Sequence, residues 1–594
     1  MDNYYPHSVT TSPLFIFVLT FIVFVHPLFA QQNGQQNIRL NEIGFYPGAP
    51  KKAIILTSKS TVFYIQTLNK KTVFTGTIKK SLKSDFAGNT TGIADFSGYS
   101  NVGKYILMVP GVGRSYPFEI KKSVLNDVAD GSIKAYYFMR ASTPLDEKYA
   151  GKWHRAEGHP DTSVLVHPSA ASDKRPAGTI ISSPRGWYDA GDYNKYVVNS
   201  GISTSTLLSL YEDFPSYMKT VKLNIPESGN QVPDVLNEVL WNLRWMLTMQ
   251  DPNDGGVYHK VTNAIFDKFE MPDKAKEPRY VVQKGTAATL DFAAVMAQAS
   301  RIFKNFPKEL PGLSDSCLNQ ADKAWAWAVK NPNTAYNQDA MNKKFSPAVT
   351  TGAYGDRSFT DEFIWAASEL FVTTGDARFL KDINLAPGAR MQVPTWGQVK
   401  MLGYYTLIKN SSSFGDNAPQ ELPEIKKHFL AFADSLINGA DETAYQTVMN
   451  KSVRNFNWGS NSVAANEGVL LIQAYKLSNN AKYLRYALDN LDYILGRNGT
   501  GYSYVTGFGS KTPMHPHHRP SVADGVIDPI PGLLVGGPNP GMQDKVKVPT
   551  TVPDEAYIDD DRAYAVNEIA INWNAPFAYL VNAIEALQTK LKPQ

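Results

Sequence analysis

Two groups of acidic side chains, far apart in the chain, have the residue types and surroundings that acid–base chemistry requires. Asp189 and Asp192 flank an Ala-Gly pair in GWYDAGDYNKY, and such a short turn can point both carboxylates at one water molecule. Glu568 lies near the end of the chain, in a segment rich in tyrosine and asparagine. One acid that protonates a leaving oxygen and a second that activates water are the minimum needed to hydrolyse a glycosidic bond. These three acids are therefore the candidate catalytic residues.

The segment around Glu568 has helical spacing. Its periodicity predicts one helix over residues 564–588, in which Tyr564, Asn567, Glu568 and Asn572 share a face. The apolar sequence that follows predicts partial burial of Glu568, which would raise the pKa of its carboxyl group and keep it protonated. A solvated glutamate is the structural alternative. For Asp192, the alternative is an Asx-turn that only caps the next helix.

A loop of sequence VTGFGSKTPMHPHHRPS, residues 505–521, is the third motif. His515, His517 and His518 invite interpretation as metal ligands. Adjacent histidines on a proline-bounded loop rarely converge on one ion, and no cysteine or second cluster supports such a site. We therefore predict no metal site in this loop.

Together these motifs resemble glycoside hydrolase family 9, a family of cellulases with an (α/α)6 barrel. NEVLWNLRWMLTMQDPNDGGVYHKVT, TDEFIWAASELFVTTGD and LDYILGRNGTGYSYVTGFG are also similar to that family, so the resemblance spans roughly residues 124–590. It implies that Asp192 is the general base, that Asp189 helps to hold the water and that Glu568 is the general acid. It also implies sugar-binding roles for six further side chains: His517, Arg519, Tyr564, His259, Tyr258 and Trp365.

Ahead of this region, short runs such as KKAIILTS, TVFYIQTL and GKYILMVP alternate with Gly, Pro, Asn and Ser. This pattern predicts a small β-sandwich over residues 37–121. RLNEIGFYPGAPKKAIIL resembles the immunoglobulin-like domain that precedes many family 9 catalytic modules. No catalytic constellation is visible there, so we expect this domain to support the barrel through apolar contacts, with carbohydrate binding as the alternative.

From residue 124 onward the apolar residues recur with a period of about 3.6. This predicts helices near residues 124–141, 197–212, 233–249, 285–303, 316–329, 359–374, 396–408, 423–436, 461–477, 480–495 and 564–588. Six helical hairpins would require twelve helices, one more than these eleven. The predicted fold class is thus multidomain, with an N-terminal all-β immunoglobulin-like sandwich followed by an all-α (α/α)6 barrel over residues 124–590.

Composition and the N-terminal segment bear on location. The 594 residues carry a net charge of only +4, with 19% charged residues and no tract rich in Lys and Arg, which argues against nucleic-acid binding. An apolar run from Leu14 to Val25 ends near Ala30, so residues 1–30 are predicted to be a signal peptide, with a single membrane anchor as the alternative. We expect a monomer that is secreted or held in the periplasm or at the cell surface, without stable membrane insertion after cleavage.

Cofactor expectations follow from the cysteine count and the resemblance. Cys317 is the only cysteine, so no intrachain disulfide can form. Several family 9 relatives bind structural zinc through Cys and His residues ahead of the Asp-Ala-Gly-Asp motif, whereas this chain has only histidines there, which excludes a thiolate zinc site. No cofactor is expected to be required, and a structural calcium held by loop oxygens stays open.

The expected function is that of a secreted, inverting β-1,4-glucanase that cleaves cellulose-type or mixed-linkage β-glucans internally. A xyloglucan-specific or exo-acting member of the same family is one alternative. A polysaccharide lyase is the rival from another class, because α/α toroids also host lyases that use Tyr, His and Arg. A catalytically inactive binding module is the third alternative. The separated acids favour hydrolysis.

Overall fold

The computed structural model describes residues 37–56, 59–80, 86–388, 390–449 and 451–592. The signal peptide predicted for residues 1–30 lies outside these ranges. None of the helices inside them combines the length and the apolar character that crossing a membrane requires. Strands come first along the chain and helices follow, which confirms the predicted fold class.

The described residues of the N-terminal sandwich form nine strands, in the spatial order β1-β3-β6-β5-β4-β7-β9-β2 with β8 beside β7. Period-two alternation directs side chains such as Phe63, Ile65 and Leu107 inward, where they form a separate hydrophobic core. The strands are β1 (Ile38–Arg39), β2 (Gly44–Phe45), β3 (Lys52–Leu56), β4 (Val62–Thr67), β5 (Thr72–Lys80), β6 (Thr91–Asp95), β7 (Gly103–Val109), β8 (Gly113–Arg114) and β9 (Phe118–Ile120).

The sandwich meets the helical unit through polar as well as apolar contacts. The Tyr46 hydroxyl donates a hydrogen bond to Glu585 Oε2 at 2.6 Å, and Asn41 Nδ2 donates to Asp492 Oδ1 at 2.8 Å, both in buried positions. Leu56 joins the hydrophobic core of the helical unit. The expectation of apolar contacts therefore describes only part of this interface.

Glu42 connects the sandwich to the loop that carries His517. Its Oε2 accepts hydrogen bonds from the backbone N–H groups of Ser510 and Lys511, at 2.7 and 2.8 Å. Burial raises the pKa of Glu42 to about 7, although the two backbone donors oppose this. The first unit thus holds the base of a loop that reaches the candidate site a few residues later.

Eleven helices of ten or more residues occur in the described part of the second unit, and all but the last agree with a predicted segment to within four residues. They are α1 (Asn126–Phe138), α2 (Val197–Asp213), α3 (Asp234–Thr248), α4 (Thr286–Phe303), α5 (Leu313–Lys330), α6 (Thr360–Thr374), α7 (Lys400–Lys409), α8 (Leu422–Ile437), α9 (Ser460–Ser478), α10 (Ala481–Ile494) and α11 (Ile571–Ala586).

Between α6 and α7 the described residues contain no long helix, only the 3₁₀ turn Ala377–Phe379. This is where an outer helix would complete six hairpins. The local sequence NLAPGARMQVPTWG contains two prolines and two glycines, which disfavour a helix. The irregular segment therefore takes the place of the twelfth helix.

Six helices form the inner ring, because α2 packs on α4, α4 on α6, α6 on α7, α7 on α9, α9 on α11 and α11 on α2. Five of them contribute charged side chains near their C-terminal ends to one network. Arg301 lies 2.9 Å from both Glu212 and Glu369, and Lys409 lies 2.7 Å from Glu212. The full set is Glu212, Asp213, Arg301, Glu369, Lys409 and Lys476. Three acids thus meet three cations at this closed end, and the helix N-termini point to the opposite, open end.

A five-stranded sheet, which the sequence did not predict, lies in the loops of the open end. Its order is β11-β10-β14-β13-β12, and it places Tyr196 directly opposite Lys260. Asp192 precedes β12 by three residues, so this sheet fixes the turn that carries the paired aspartates. The strands are β10 (Val164–Val166), β11 (Ile180–Ile181), β12 (Lys195–Tyr196), β13 (Lys260–Asn263) and β14 (Arg279–Val281).

Candidate active site

The Asp-Ala-Gly-Asp turn buries both of its carboxyl groups. Asp189 is 1% exposed and accepts hydrogen bonds from Asn199 Nδ2 at 2.9 Å and from the Tyr354 hydroxyl at 3.0 Å. Asp192 accepts from the Tyr196 hydroxyl at 3.2 Å and from Asn194 Nδ2. Burial and the neighbouring Asp192 raise the pKa of Asp189.

The Asp192 carboxylate does not cap the helix that follows. Tyr196 precedes α2, and no side chain caps that helix terminus. Asp192 is instead engaged by two side-chain donors that face it inside the site. The capping alternative for this residue is therefore wrong.

Glu568 lies in an extended stretch, not in a helix. A short helix spans Tyr564–Asn567. Glu568 follows it in an extended conformation, with φ and ψ of −71° and 154°, and α11 begins only at Ile571. The backbone of residues 568–570 pairs with three other segments, at His517, Val535 and Ala190. The prediction of one helix over residues 564–588 is wrong here, because tertiary pairing overrides local helical spacing.

Glu568 shares the site with the paired aspartates. It is partly buried. Burial raises the pKa of Glu568 well above its usual value, and the carboxylates of Asp192 and Asp189 raise it further, while Arg519 and the backbone N–H of Gly191 oppose the increase. The structure therefore assembles all three candidate acids in one cluster, with an environment that favours a protonated glutamate.

Gly191 allows the close approach on which this cluster depends. A Cβ atom at this position would lie 2.3 Å from the carbonyl oxygen of His517, so any other residue would push the two segments apart. Arg519 reinforces the contact, since its Nη1 donates to the Gly191 carbonyl at 2.7 Å and its Nε donates to the Asp267 carbonyl at 2.9 Å. Two of the side-chain N–H groups of Arg519 are thus bonded to backbone carbonyl oxygens. A direct contact between Arg519 and sugar stays a prediction.

His517 is partly exposed and has a defined tautomer. Its Nδ1 lies 2.6 Å from the Asp561 carbonyl oxygen, which can only accept, so Nδ1 carries the proton. Burial lowers the pKa of His517, which favours the neutral ring. Its Nε2 then carries no proton and can accept a hydrogen bond. The ring packs between Phe269 and Tyr564, with centroids 5.2 and 5.7 Å away.

Aromatic side chains continue along the rim from His517. Tyr564 is partly buried, and its ring centroid lies 5.1 Å from that of Trp458, which is 42% exposed. On the other side of His517, Phe266 and Phe269 are 44% and 42% exposed. Such a row of rings offers flat apolar platforms of the kind that bind sugar rings.

Three predicted sugar-binding residues are placed elsewhere. Tyr258, His259 and Trp365 are 0%, 1% and 0% exposed. Tyr258 donates to Asp251, and the ring of His259 stacks on Tyr336 at 4.0 Å between centroids. These side chains are buried among their neighbours, so this geometry gives no support to contact with substrate, which stays a prediction.

Other functional candidates were missed by sequence reasoning. Tyr354, which donates to Asp189, lies far from it in sequence, as does Lys260, whose side chain approaches Asp192 through Tyr196. Asp559 supports the site indirectly. Its carboxylate accepts from the backbone N–H groups of Met514 and His515, at 2.8 and 2.9 Å, and thereby holds the histidine loop.

A metal site does not emerge from the donors present. In the described ranges no group of three or more His, Cys, Asp and Glu side chains is arranged to hold a metal ion. His517 and His518 turn their Nδ1 atoms to Asp561 and Ser521, so the histidine loop has no converging ligands. These histidines do not fit a zinc ion, and a structural calcium held by loop oxygens stays a prediction.

The comparisons with known proteins agree with this architecture. The model of Glycosyl hydrolase family 9 matches residues 126–581, and that of the cellulase N-terminal ig-like domain matches residues 33–114. The chain is 47% identical over 553 residues to xyloglucan-specific endo-beta-1,4-glucanase BoGH9A of Bacteroides ovatus, covering 93% of this chain and 94% of the relative. It is 36% identical over 550 residues to endoglucanase D of Acetivibrio thermocellus, covering 91% and 82%.

Solved structures show the same likeness. A structure described as Bacteroides ovatus GH9 has a TM-score of 0.88 at 45% identity and covers 93% of this chain and 99% of its own. A Zn-binding triple mutant of the family 9 endoglucanase J30 has a TM-score of 0.82 at 28% identity, covering 90% and 99%.

A ring of six inner helices with carboxyl groups gathered at its open end defines a glycoside hydrolase of the (α/α)6-barrel class. The chain belongs to glycosyl hydrolase family 9 and carries the immunoglobulin-like domain at its N-terminal side. The lyase and the inactive binding module are therefore wrong as interpretations.

Proposed function

We propose that the protein is an endo-acting, inverting β-1,4-glucanase in which Glu568 is the general acid and Asp192 the general base. The observation that carries this proposal is the cluster of Glu568 with Asp189 and Asp192, where burial and like charge raise the pKa of the glutamate. Glu568 donates its proton to the leaving oxygen while Asp192 takes a proton from the attacking water. Asp189, held by Asn199 and Tyr354, helps to position that water.

The remaining rim residues orient the substrate. His517 accepts a hydrogen bond from a sugar hydroxyl at Nε2, and Arg519 holds the backbone carbonyls of Gly191, beside Asp192, and of Asp267. Tyr564 stacks on or borders the adjacent sugar ring. These roles are positional, since none of these groups exchanges the essential protons.

The stereochemical course tests the mechanism directly. An inverting enzyme needs room for water, so the carboxyl groups of Asp192 and Glu568 should be separated by about 6.5–9.5 Å in the substrate complex. NMR during hydrolysis of a soluble β-1,4-linked oligosaccharide should show the α anomer first. The β anomer appearing first, or a trapped glycosyl ester on the enzyme, would contradict the assignment.

The substrate has two candidates. Linear cellulose-type or mixed-linkage β-glucan is the first, supported by the likeness to endoglucanase D. Xyloglucan is the second, supported by the 47% identity to a xyloglucan-specific enzyme across nearly the whole of both chains. Relative kcat/KM on barley β-glucan, carboxymethylcellulose and xyloglucan, with product masses, decides between them. A rapid loss of viscosity with few new reducing ends would support internal cleavage over exo action.

For the whole protein we propose a monomer that acts outside the cytoplasm, with residues 1–30 as a cleaved signal peptide and with units at residues 37–121 and 124–590. N-terminal sequencing of the protein from its native host would locate the cleavage site. Light scattering of the purified protein would give its mass in solution.

A further inference from the structure

A buried lysine lies next to the paired aspartates without a carboxylate in contact. Lys260 opens β13 directly opposite Tyr196 and is 0% exposed. Its Nζ lies 5.3 Å from the ring centroid of Tyr196 and 5.6 Å from that of Tyr336, so the cation is placed between two aromatic faces. No carboxylate of the described ranges comes within ion-pair distance of it, unlike Lys195 in the neighbouring strand, whose Nζ lies 2.7 Å from Asp161.

The hydrogen bonds of Lys260 require its charged form. Nζ lies 2.8 Å from Gln338 Oε1, 3.0 Å from Thr351 Oγ1 and 2.6 Å from the Gly352 carbonyl oxygen. The Gln338 amide is oriented by its own Nε2, which donates to the Thr351 carbonyl at 2.7 Å. All three partners therefore present acceptors, and only an ammonium group has three protons to donate.

The Thr351 hydroxyl proton is used elsewhere, which confirms the direction of that bond. Thr262 donates its hydroxyl proton to the Asn263 carbonyl, so in the 2.6 Å contact between Thr262 and Thr351 the donor is Thr351. The oxygen of Thr351 is then left to accept from Lys260.

A continuous path leads from this ammonium group to Asp192. The Gly352 carbonyl accepts from Lys260, and the Gly352 N–H donates to the Tyr196 hydroxyl at 3.1 Å. The Tyr196 hydroxyl in turn donates to Asp192 Oδ2 at 3.2 Å. Because the Gly352 N–H can only donate, the Tyr196 oxygen accepts from it, and the Tyr196 proton goes to the Asp192 carboxylate.

We propose that Lys260 is a positioning residue that keeps Asp192 ionised, by placing one positive charge behind the aspartate pair and by fixing the Tyr196 hydroxyl as its donor. Two adjacent buried carboxylates repel, and an unpaired cation nearby favours their charged form. This inference rests on the proposed role of Asp192 as base.

Titration of the lysine itself fits this role. Burial lowers the pKa of Lys260 to about 7, while Asp192 and Asp189 oppose that decrease. Lys260 is therefore charged in the acidic range, where the acidic limb of the rate profile lies.

The pH dependence of kcat/KM in the full-length enzyme tests the inference. Lys260→Met should move the acidic limb upward by about one to two pH units and lower kcat at pH 5.5 by about tenfold or more, with KM changed less than twofold. Lys260→Arg, which restores the charge, should move the limb back toward the wild-type position. Lys260→Gln retains amide donors without the charge and should move the limb as predicted for Lys260→Met. It provides the same test if the methionine variant does not fold.

Lys51→Met is the matched control. Lys51 is also 0% exposed and bound by neutral oxygens, the carbonyls of Pro47 and Ala49, but it lies in the N-terminal sandwich. Its replacement should leave the acidic limb unchanged. A limb that stays in place in both neutral variants at position 260, whatever the loss of activity, would overturn the role of Lys260.

Asp192→Asn tests the proposed base separately from the inference about Lys260. If that variant keeps wild-type activity, the assignment of the base is wrong. If it is inactive while the neutral Lys260 variants keep the wild-type limb, only the inference about the lysine is wrong.

Discussion

The two ends of the barrel each gather three carboxyl groups, but only the closed end pairs them directly with cations. At the closed end Glu212, Asp213 and Glu369 lie within ion-pair distance of three cationic side chains: Arg301, Lys409 and Lys476. At the open end, the described residues place no cation within that distance of Asp189, Asp192 or Glu568. The same scaffold thus uses paired acids to join its helices and unpaired acids to prepare a reaction.

The acid–base properties of the two ends differ accordingly. Burial opposes ionisation of the carboxyl groups at both ends of the barrel. At the closed end Lys409 and Arg301 overcome it and lower the pKa of Glu212 to about 2. At the open end nothing comparable offsets it, and the pKa of Glu568 rises well above its usual value. A buried acid whose pKa is raised, placed in a cleft, indicates function more strongly than a buried acid in an ion pair.

The largest expected effect is on catalysis at the open end. Glu568→Gln should lower kcat by about 10² to 10⁴ because the leaving oxygen loses its proton donor, with KM nearly unchanged. Thermal unfolding should occur at the same or a higher temperature, because the change removes an uncompensated acid. Steady-state kinetics and calorimetry on one preparation measure both. A clear loss of stability together with retained kcat would show that Glu568 serves stability and not the reaction.

The same chemical change at the closed end should act on stability. Glu212→Gln leaves Arg301 and Lys409 without one buried partner, which should reduce the free energy of unfolding by about 3–5 kcal/mol. Per folded molecule, kcat should remain that of the wild type. Urea unfolding, with activity measured below the transition, checks this expectation. A catalytic defect without destabilisation would show that the closed end also serves the reaction.

The pH dependence of stability should have opposite signs for Glu212 at the closed end and Glu568 at the open end. The pKa of Glu212 falls from an ordinary value of 4.5 to about 2, so its contribution is complete above pH 4.5 and is lost as the pH falls toward 2. Wild type and Glu212→Gln should therefore converge in unfolding free energy over that range. For Glu568, whose pKa is raised, the gain from Glu568→Gln should instead grow as the pH rises above about 4.5. Denaturant titrations at several pH values measure both trends.

A smaller effect is expected from the rim of the open end. His517→Ala should lower kcat/KM by about 10- to 100-fold, because the sugar beside the scissile bond loses an oriented acceptor. His515→Ala is the control, since His515 is exposed and contributes only its backbone N–H to the bond with Asp559. Equal losses in both variants would show that the loop as a whole, and not the Nε2 atom of His517, is responsible.

Periodicity predicted the barrel well because its inner helices are long and apolar on most faces. It failed where contacts distant in sequence decide the backbone. Nothing near Glu568 signals that residues 568–570 pair with His517, Val535 and Ala190, so the stretch was expected to be helical. The segment that replaces the outer helix between α6 and α7 was recognisable only as one helix too few.

The acids of the site could be recognised from their motifs, but their surroundings could not. Trp365 and Tyr258 belong to motifs that resemble those of the family, yet their side chains point into the core. Tyr354 contacts Asp189, and Lys260 reaches Asp192 only through Tyr196. Tyr354 lies in a segment with no sequence signal of its own, and the motif that contains Lys260 drew attention to its neighbours Tyr258 and His259 instead. Proximity created by folding is the information that a single sequence lacks.

The extended stretch Glu568–Ala570 bears on how such an enzyme diversifies. Each of its residues is tied by backbone pairing to a different segment, so the acid is held by main-chain atoms that tolerate exchange of neighbouring side chains. The loops that leave those segments, residues 520–533 and 538–556, begin and end near fixed points. We expect insertions or deletions there to reshape the rim around His517 without moving the backbone of Glu568. Lineages and loop-exchange libraries alike can therefore explore new polysaccharides while inheriting the chemistry intact.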